Sequence, residues 1–255
     1  MMRIQVLGGH GGLARGFSTT SFLINGELLI DAGAVASTLS VEEQSNIDHI
    51  LISHSHLDHI KDLAFICDNC FGIRKTPFQV YTHQTVKNIL KEHLFNETIW
   101  PDFTILPSEK NPTIQINAVE PEKTFKLKSY SITPIKVQHP NDAMGFIIEQ
   151  GETAILFTVD TGPTDKIWEI AHQTKNLKAI FTEVSFPNGL QKVATASDHH
   201  TAASMKSELS KMPLAIPIVL THLKPNYRAT ILKEVSALEE KRLRVLEKDG
   251  EIFEF

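Results

Sequence analysis

The chain is 255 residues long, with 42 % apolar and 22 % charged residues, an ordinary composition for a globular fold with a sizeable core. Its 30 acidic and 25 basic residues leave a net charge of −5, which disfavours a general nucleic-acid binder. No apolar run nears the roughly 20 residues a membrane-spanning helix needs, and two cysteines make no disulfide framework, so a cytoplasmic protein is expected.

Residues 1–7 read as a strand, without the long apolar stretch and cleavage site of a signal peptide. Strands at 21–24 and 28–30 flank Asn25-Gly26, a tight-hairpin signal because both residues tolerate positive φ. Further strands are expected at 80–81, 114–116, 131–137, 145–148, 154–159, 179–182 and 216–221, with a terminal pair around Asp249-Gly250. Helical periodicity appears at 60–70, 85–94, 164–174, 201–211 and 229–241. Residues 95–112, with Trp100 and Phe103, read as irregular but too aromatic for a disordered linker. The alternation predicts one α/β domain over residues 1–255, its strands mixed in direction.

Histidine is the anomaly, with 12 in the chain. The densest signal is His54-Ser55-His56-Leu57-Asp58-His59, between the apolar run Ile50-Leu51-Ile52 and a helix. Ionisable residues packed so closely behind a buried strand need partners. Imidazole with carboxylate oxygen suits zinc, with manganese or iron as alternatives, and such a loop can feed two ions. Four more polar residues each end an apolar strand: His139, Asp160, Glu183 and His222. In open α/β sheets the carboxyl ends of strands are where ligand sites form. Two ions with three ligands apiece from His54, His56, Asp58, His59, His139 and His222, and Asp160 between them, account for the whole set.

The string from His54 to His59, followed by His139, Asp160 and His222, resembles the metallo-β-lactamase superfamily of hydrolases. Several segments are similar to the class II 3′,5′-cyclic-nucleotide phosphodiesterases. They are Leu57-Asp58-His59-Ile60-Lys61-Asp62-Leu63, His93-Leu94-Phe95-Asn96 leading into Trp100-Pro101-Asp102-Phe103, and Val159-Asp160-Thr161-Gly162-Pro163. Thr182-Glu183-Val184-Ser185-Phe186-Pro187-Asn188 and Thr221-His222-Leu223-Lys224-Pro225 complete them. The resemblance implies a four-layer αββα sandwich and two divalent metal ions. It implies that His54, His56 and His139 hold one ion, that Asp58, His59 and His222 hold the other, and that Asp160 bridges.

Where the family shows Gly-His-Leu-Thr or Gly-His-Ser-Thr, this chain has Asp198-His199-His200-Thr201, so two adjacent imidazoles compete for one role. In those enzymes the motif histidine is paired with the glutamate matching Glu183. The implied reaction is hydrolysis of cAMP or cGMP to a 5′-nucleoside monophosphate. Metal ions lower the pKa of water, Asp58 orients it, and His199 backed by Glu183 protonates the leaving ribose oxygen. The partner expected is therefore a small cyclic nucleotide, with a homodimer as the assembly.

Other features carry less. Cys67-Asp68-Asn69-Cys70 lacks the second pair a zinc site needs and reads as core. Gly8-Gly9-His10-Gly11-Gly12 lacks the Lys-Ser/Thr of a phosphate loop and reads as a tight loop with His10 as a site-wall candidate. Phe95, Trp100 and Phe103 can form a lid or a base-stacking wall, or simply pack. The rival activity is a ribonuclease Z-like endonuclease, which shares the metal set but wants a basic clamp this acidic chain lacks. A diiron protein of the same fold and a non-catalytic binding module are the alternatives from other classes. His56 stands where the first would have Glu, and the second should have lost ligands.

Overall fold

The strands of this chain are apolar on both faces, and that decides the architecture. In Leu28-Leu29-Ile30, the side chains of Leu28 and Ile30 enter one core while Leu29 enters another, because successive residues of a strand point to opposite faces. Sheets buried on both sides must be stacked and covered. The computed structural model, which describes all residues Met1–Phe255, shows this arrangement.

Two seven-stranded mixed sheets stack face to face. The first runs in the order Ile252–Glu254, Arg3–Gly8, Ser21–Ile24, Leu28–Ile30, His49–Leu51, Phe78–Thr82, Ile114–Ala118. The second runs Phe125–Leu127, Tyr130–Lys136, Met144–Gln150, Thr153–Phe157, Leu177–Glu183, Ile218–Thr221, Leu243–Val245. In these orders each sheet has antiparallel pairings first and parallel ones after Leu28–Ile30 or Thr153–Phe157, so the two halves share one topology.

Three apolar clusters separate four layers. The middle one joins the sheets, with Ile4, Phe22 and Ile30 meeting Phe146, Phe157 and Phe181. The outer ones seat helix Leu57–Asn69 on the first sheet through Ile60, Leu63 and Ile66, and helices Lys166–Gln173 and Ala202–Leu209 on the second through Trp168 and Met205. The fold is the αββα sandwich. No helix is long and apolar enough to cross a membrane.

Some expectations change. The terminal strands around Asp249-Gly250 do not pair with each other: Leu243–Val245 closes the second sheet and Ile252–Glu254 edges the first. The helix expected at 85–94 is α-helical only over Gln84–Ile89 and finishes as a wider π turn, Leu90–Leu94. Phe95 and Phe103 are buried in the outer core, so neither forms a lid or stacking wall. Trp100 packs against the same cluster and meets Phe65 edge-on. Cys67 and Cys70 are free and buried there too.

Candidate metal centre

The site lies at the strand ends of both sheets. Strand His49–Leu51 delivers Ser53 and His54 to its exit, and His56 then adopts the extended backbone of an N-cap, opening helix Leu57–Asn69. Asp58 and His59 fall in that helix's first turn, where the helix dipole favours a carboxylate. From the second sheet come His139, Asp160, Glu183 and His222, each beyond the end of its strand or on its last residue. His222 has φ of 59° and Val159, just before Asp160, has φ of 53°, a costly conformation for a β-branched residue. Such strain, of order 1–3 kcal/mol, is aimed here at presenting the two neighbouring side chains.

The imidazoles are locked from behind. His59 Nδ1 stands 2.7 Å from Asp31 Oδ2, and the same carboxylate accepts from Ser53 Oγ, which also lies 2.9 Å from His54 Nδ1. His139 Nδ1 donates to the Asp198 carbonyl at 2.9 Å, and His222 Nδ1 lies 2.9 Å from Ser185 Oγ. With their outer nitrogens engaged, these rings present Nε2 inward, the arrangement metal-ligating histidines commonly use.

Inward, donor atoms of His54, His56 and His139 lie within 4.8 Å of one another, as do those of Asp58, His59, Asp160 and His222. His56 Nδ1 and His139 Nε2 are 3.2 Å apart. Asp160 Oδ2 is 3.1 Å from His222 Nε2, 3.2 Å from His59 Nε2 and 3.8 Å from His54 Nε2, so it stands between the groups. Asp58 Oδ2 is 3.3 Å from His222 Nε2. Ligands roughly 2.0–2.1 Å from a tetrahedral ion lie about 3.3–3.5 Å from each other, close to these spacings. His54 Nε2, His59 Nε2 and Asp160 Oδ1 are buried with no hydrogen-bond partner, a costly condition that a cation at each group relieves. The residues fit two divalent ions.

Electrostatics agree at the His54, His56 and His139 group, whereas at the second group burial is outweighed by the Asp160 and Asp31 carboxylates, which raise His59 well above its ordinary value. Burial, helped by neighbouring His59, holds His54 well below its ordinary pKa, and burial lowers His56 and His139. Neutral imidazoles keep a lone pair for a metal. Burial pushes the Asp160 carboxyl up, but His222 and His59 outweigh it and hold it well below the usual carboxylate range.

Beside these groups, His199 Nδ1 lies 2.6 Å from Glu183 Oε1, and a His199 ring nitrogen is within 4.8 Å of the His139 and Asp160 donor atoms. Glu183 also accepts from Ser185 Oγ and the Thr161 amide. Burial lowers His199, but the Glu183 carboxylate prevails and raises it above its ordinary value. His200 turns the other way and its Nδ1 meets Ser204 Oγ at 3.0 Å in the helix it precedes. His10 belongs to neither metal group: its Nε2 faces Asp249 Oδ1 at 3.4 Å, behind His222. Asp31, Ser53 and Ser185, which hold the ligands in place, were missed from the sequence. Asp31 carries the same signal as Asp160, a carboxylate ending the apolar strand Leu28–Ile30.

A β-lactamase superfamily domain model matches residues 27–235. The chain belongs to the metallo-β-lactamase superfamily. Among curated relatives of this superfamily member, a probable 3′,5′-cyclic-nucleotide phosphodiesterase of Yersinia pestis is 27 % identical over 72 % of this chain and 59 % of its own length. A zinc phosphodiesterase ELAC protein 2 homologue of Caenorhabditis elegans is 23 % identical over 71 % of this chain and 25 % of its own. The chain thus spans less than two thirds of these relatives' lengths. Among solved structures, unliganded yeast PDE1 superposes with a TM-score of 0.83 at 19 % identity, covering 97 % of this chain and 98 % of that one. The metallo-β-lactamase fold protein YhfI of Bacillus subtilis gives 0.77 at 21 % identity, with complete coverage of both chains. At these identities the structures establish the shared fold.

Proposed function

We propose that this superfamily member is a dinuclear metal-dependent phosphodiesterase that hydrolyses 3′,5′-cyclic nucleotides to 5′-nucleoside monophosphates. The observation that carries the reading is the buried Glu183–His199 pair set against the His54/His56/His139 and Asp58/His59/Asp160/His222 groups. Metal ligands alone serve many hydrolases; a carboxylate-backed histidine beside them suits a reaction whose leaving group needs a proton. The name of the Yersinia relative supports the cyclic-nucleotide class. Zinc suits the histidine-rich donor set best, and the free thiols of Cys67 and Cys70 suit a cytoplasmic setting.

His54, His56 and His139 would hold one divalent ion and Asp58, His59 and His222 a second, with Asp160 shared, and the ions would supply a water of lowered pKa and offset phosphoryl charge. Asp58, the more exposed carboxylate of the set, would accept a hydrogen bond from the attacking water and orient it in line with phosphorus. As the phosphorus–O3′ bond breaks, His199 gives its proton to the ribose oxygen, and Glu183 keeps the Nδ1–H fixed and stabilises the imidazolium beforehand. Ser185 ties Glu183, His199 and His222 into one network, so the proton donor and a metal ligand share a support.

A panel of 3′,5′-cAMP, 3′,5′-cGMP, a 2′,3′-cyclic nucleotide and a precursor tRNA, offered to zinc-loaded protein, tests the reading. Turnover of a 3′,5′-cyclic nucleotide is expected. Cleavage of the tRNA alone would hand the site to the ribonuclease Z-like endonuclease reading.

A further inference from the structure

Two residues beyond His222, Lys224 occupies a position that its own contacts do not explain. Its backbone N–H donates to the Ser185 carbonyl at 3.3 Å, which fixes its Cα beside the network joining Glu183, His199 and His222. Its ammonium donates to the Gly11 carbonyl at 3.0 Å and stands 5.1 Å from the centre of the Phe186 ring. That ring in turn meets His199 edge-on at 5.7 Å. A neutral carbonyl and an aromatic face are its partners; no carboxylate pairs with it, although the chain ties six other lysines to acids.

The location makes this more pointed. A fixed positive charge one aromatic ring away from His199, at the edge of residues that fit two dications, is repelled by whatever those residues hold. The cost is offset when an anion lies between. A lysine on a four-carbon stem can leave the Gly11 carbonyl and reach such an anion as a compact point charge. Tyr227 packs at 6.5 Å from Phe186, and Lys224 itself is half-buried, so the ammonium has an aromatic backing without being sealed from solvent.

We infer that Lys224 is a phosphate-binding residue of this site, its ammonium contacting a non-bridging phosphoryl oxygen on the His199 side. The inference rests on the phosphodiesterase reading for the class of anion. Because a phosphomonoester product carries more negative charge than its diester, Lys224 holds product more tightly than substrate and takes part in setting the rate of release. No bond is made or broken by the residue itself.

The test uses zinc-loaded protein and inorganic phosphate as the probe, titrated calorimetrically in wild type, K224Q, K224M and K224R. K224M keeps the aliphatic stem on Phe186 and guards against a packing loss in K224Q. Phosphate affinity is expected to fall about tenfold or more in K224Q and K224M and to recover within about threefold in K224R, the worth of one charge-assisted hydrogen bond. Zinc content should stay equal, and KM for a phosphodiester should rise while kcat holds or increases, because product leaves sooner. Unchanged phosphate affinity in both neutral variants, with lowered thermal stability, would make Lys224 a staple for the Gly11 loop and overturn the inference. If wild type hydrolyses no phosphodiester while phosphate binding still depends on Lys224, the phosphodiesterase reading fails and the anion contact stands.

Discussion

His59 Nδ1 and Asp31 Oδ2 meet at 2.7 Å with both side chains sealed from solvent, so one carboxylate from a strand end fixes the ring of a residue in a helix on another loop. Asp31 also accepts from the Ser53 amide and hydroxyl, and through Ser53 it reaches His54. Asp31→Asn removes the charge at nearly constant volume. Zinc affinity should drop by about 10–100-fold, the usual effect of losing such a supporting contact, in competition with a chromophoric chelator. Unaltered affinity would show that the Ser53 and helix contacts suffice without it.

The pairing of His199 with Glu183 predicts a dependence on the leaving group. His199→Ala should cut cyclic-nucleotide turnover by roughly 10²–10⁴ and leave zinc content nearly intact. On a nitrophenyl phosphodiester, whose leaving oxygen needs little protonation, the loss should shrink. Asp160→Ala should lower zinc occupancy and turnover on both substrates, because Asp160 lies against both ligand groups. Equal losses for His199→Ala on the two substrates would mean that the histidine binds phosphate and does not deliver a proton.

His200 is the control for that assignment. Its Nδ1 is satisfied by Ser204, and it is absent from the groups that face the metals. His200→Gln should keep turnover within a few-fold of wild type. A fall as large as that of His199→Ala would transfer the role by one residue.

Elemental analysis of fully loaded, active protein should give two ions per chain. Chelation should abolish turnover and lower Tm, because His54 Nε2, His59 Nε2 and Asp160 Oδ1 are buried with no protein partner to replace the metal. An active sample holding a single ion would remove the bridging role of Asp160.

Far from the centre, Tyr130 donates its hydroxyl to Glu27 at 3.0 Å and accepts from Asn25, joining the two sheets at their other end. Burial, with Glu27 beside it, pushes its phenol up to about 12 from an ordinary 10.0. The unfolded chain therefore ionises first as pH rises, so stability from this group is complete below about pH 10 and is lost on the way through pH 12. Tyr130→Phe should cost about 1 kcal/mol in urea unfolding at pH 8 and flatten the decline at alkaline pH. An equally steep decline in the variant would assign it to other groups.

Much of this centre was legible because strand ends are where an apolar run must stop. Asp160, Glu183 and His222 announce themselves in that way. Asp31 does so too, at the end of Leu28–Ile30. The choice between His199 and His200 was not legible: adjacent residues of extended backbone face opposite ways, and which faces the centre depends on where Thr201 starts its helix. The partner of Ile252–Glu254 was equally hidden, because pairing with Arg3–Gly8 across almost the whole chain leaves no local trace.

That pairing bears on how the protein is made. Arg3–Gly8 is synthesised long before its outer neighbour, Ile252–Glu254, with Arg3 opposite Glu254 and Ile4 opposite Phe253. Until that strand is made, Arg3–Gly8 carries an open row of amides and carbonyls on its outer side, the exposure that invites mispairing with another nascent chain. Refolding rates should feel substitutions at Phe253, whose ring meets Phe181 of the opposite sheet edge-on, less than unfolding rates do.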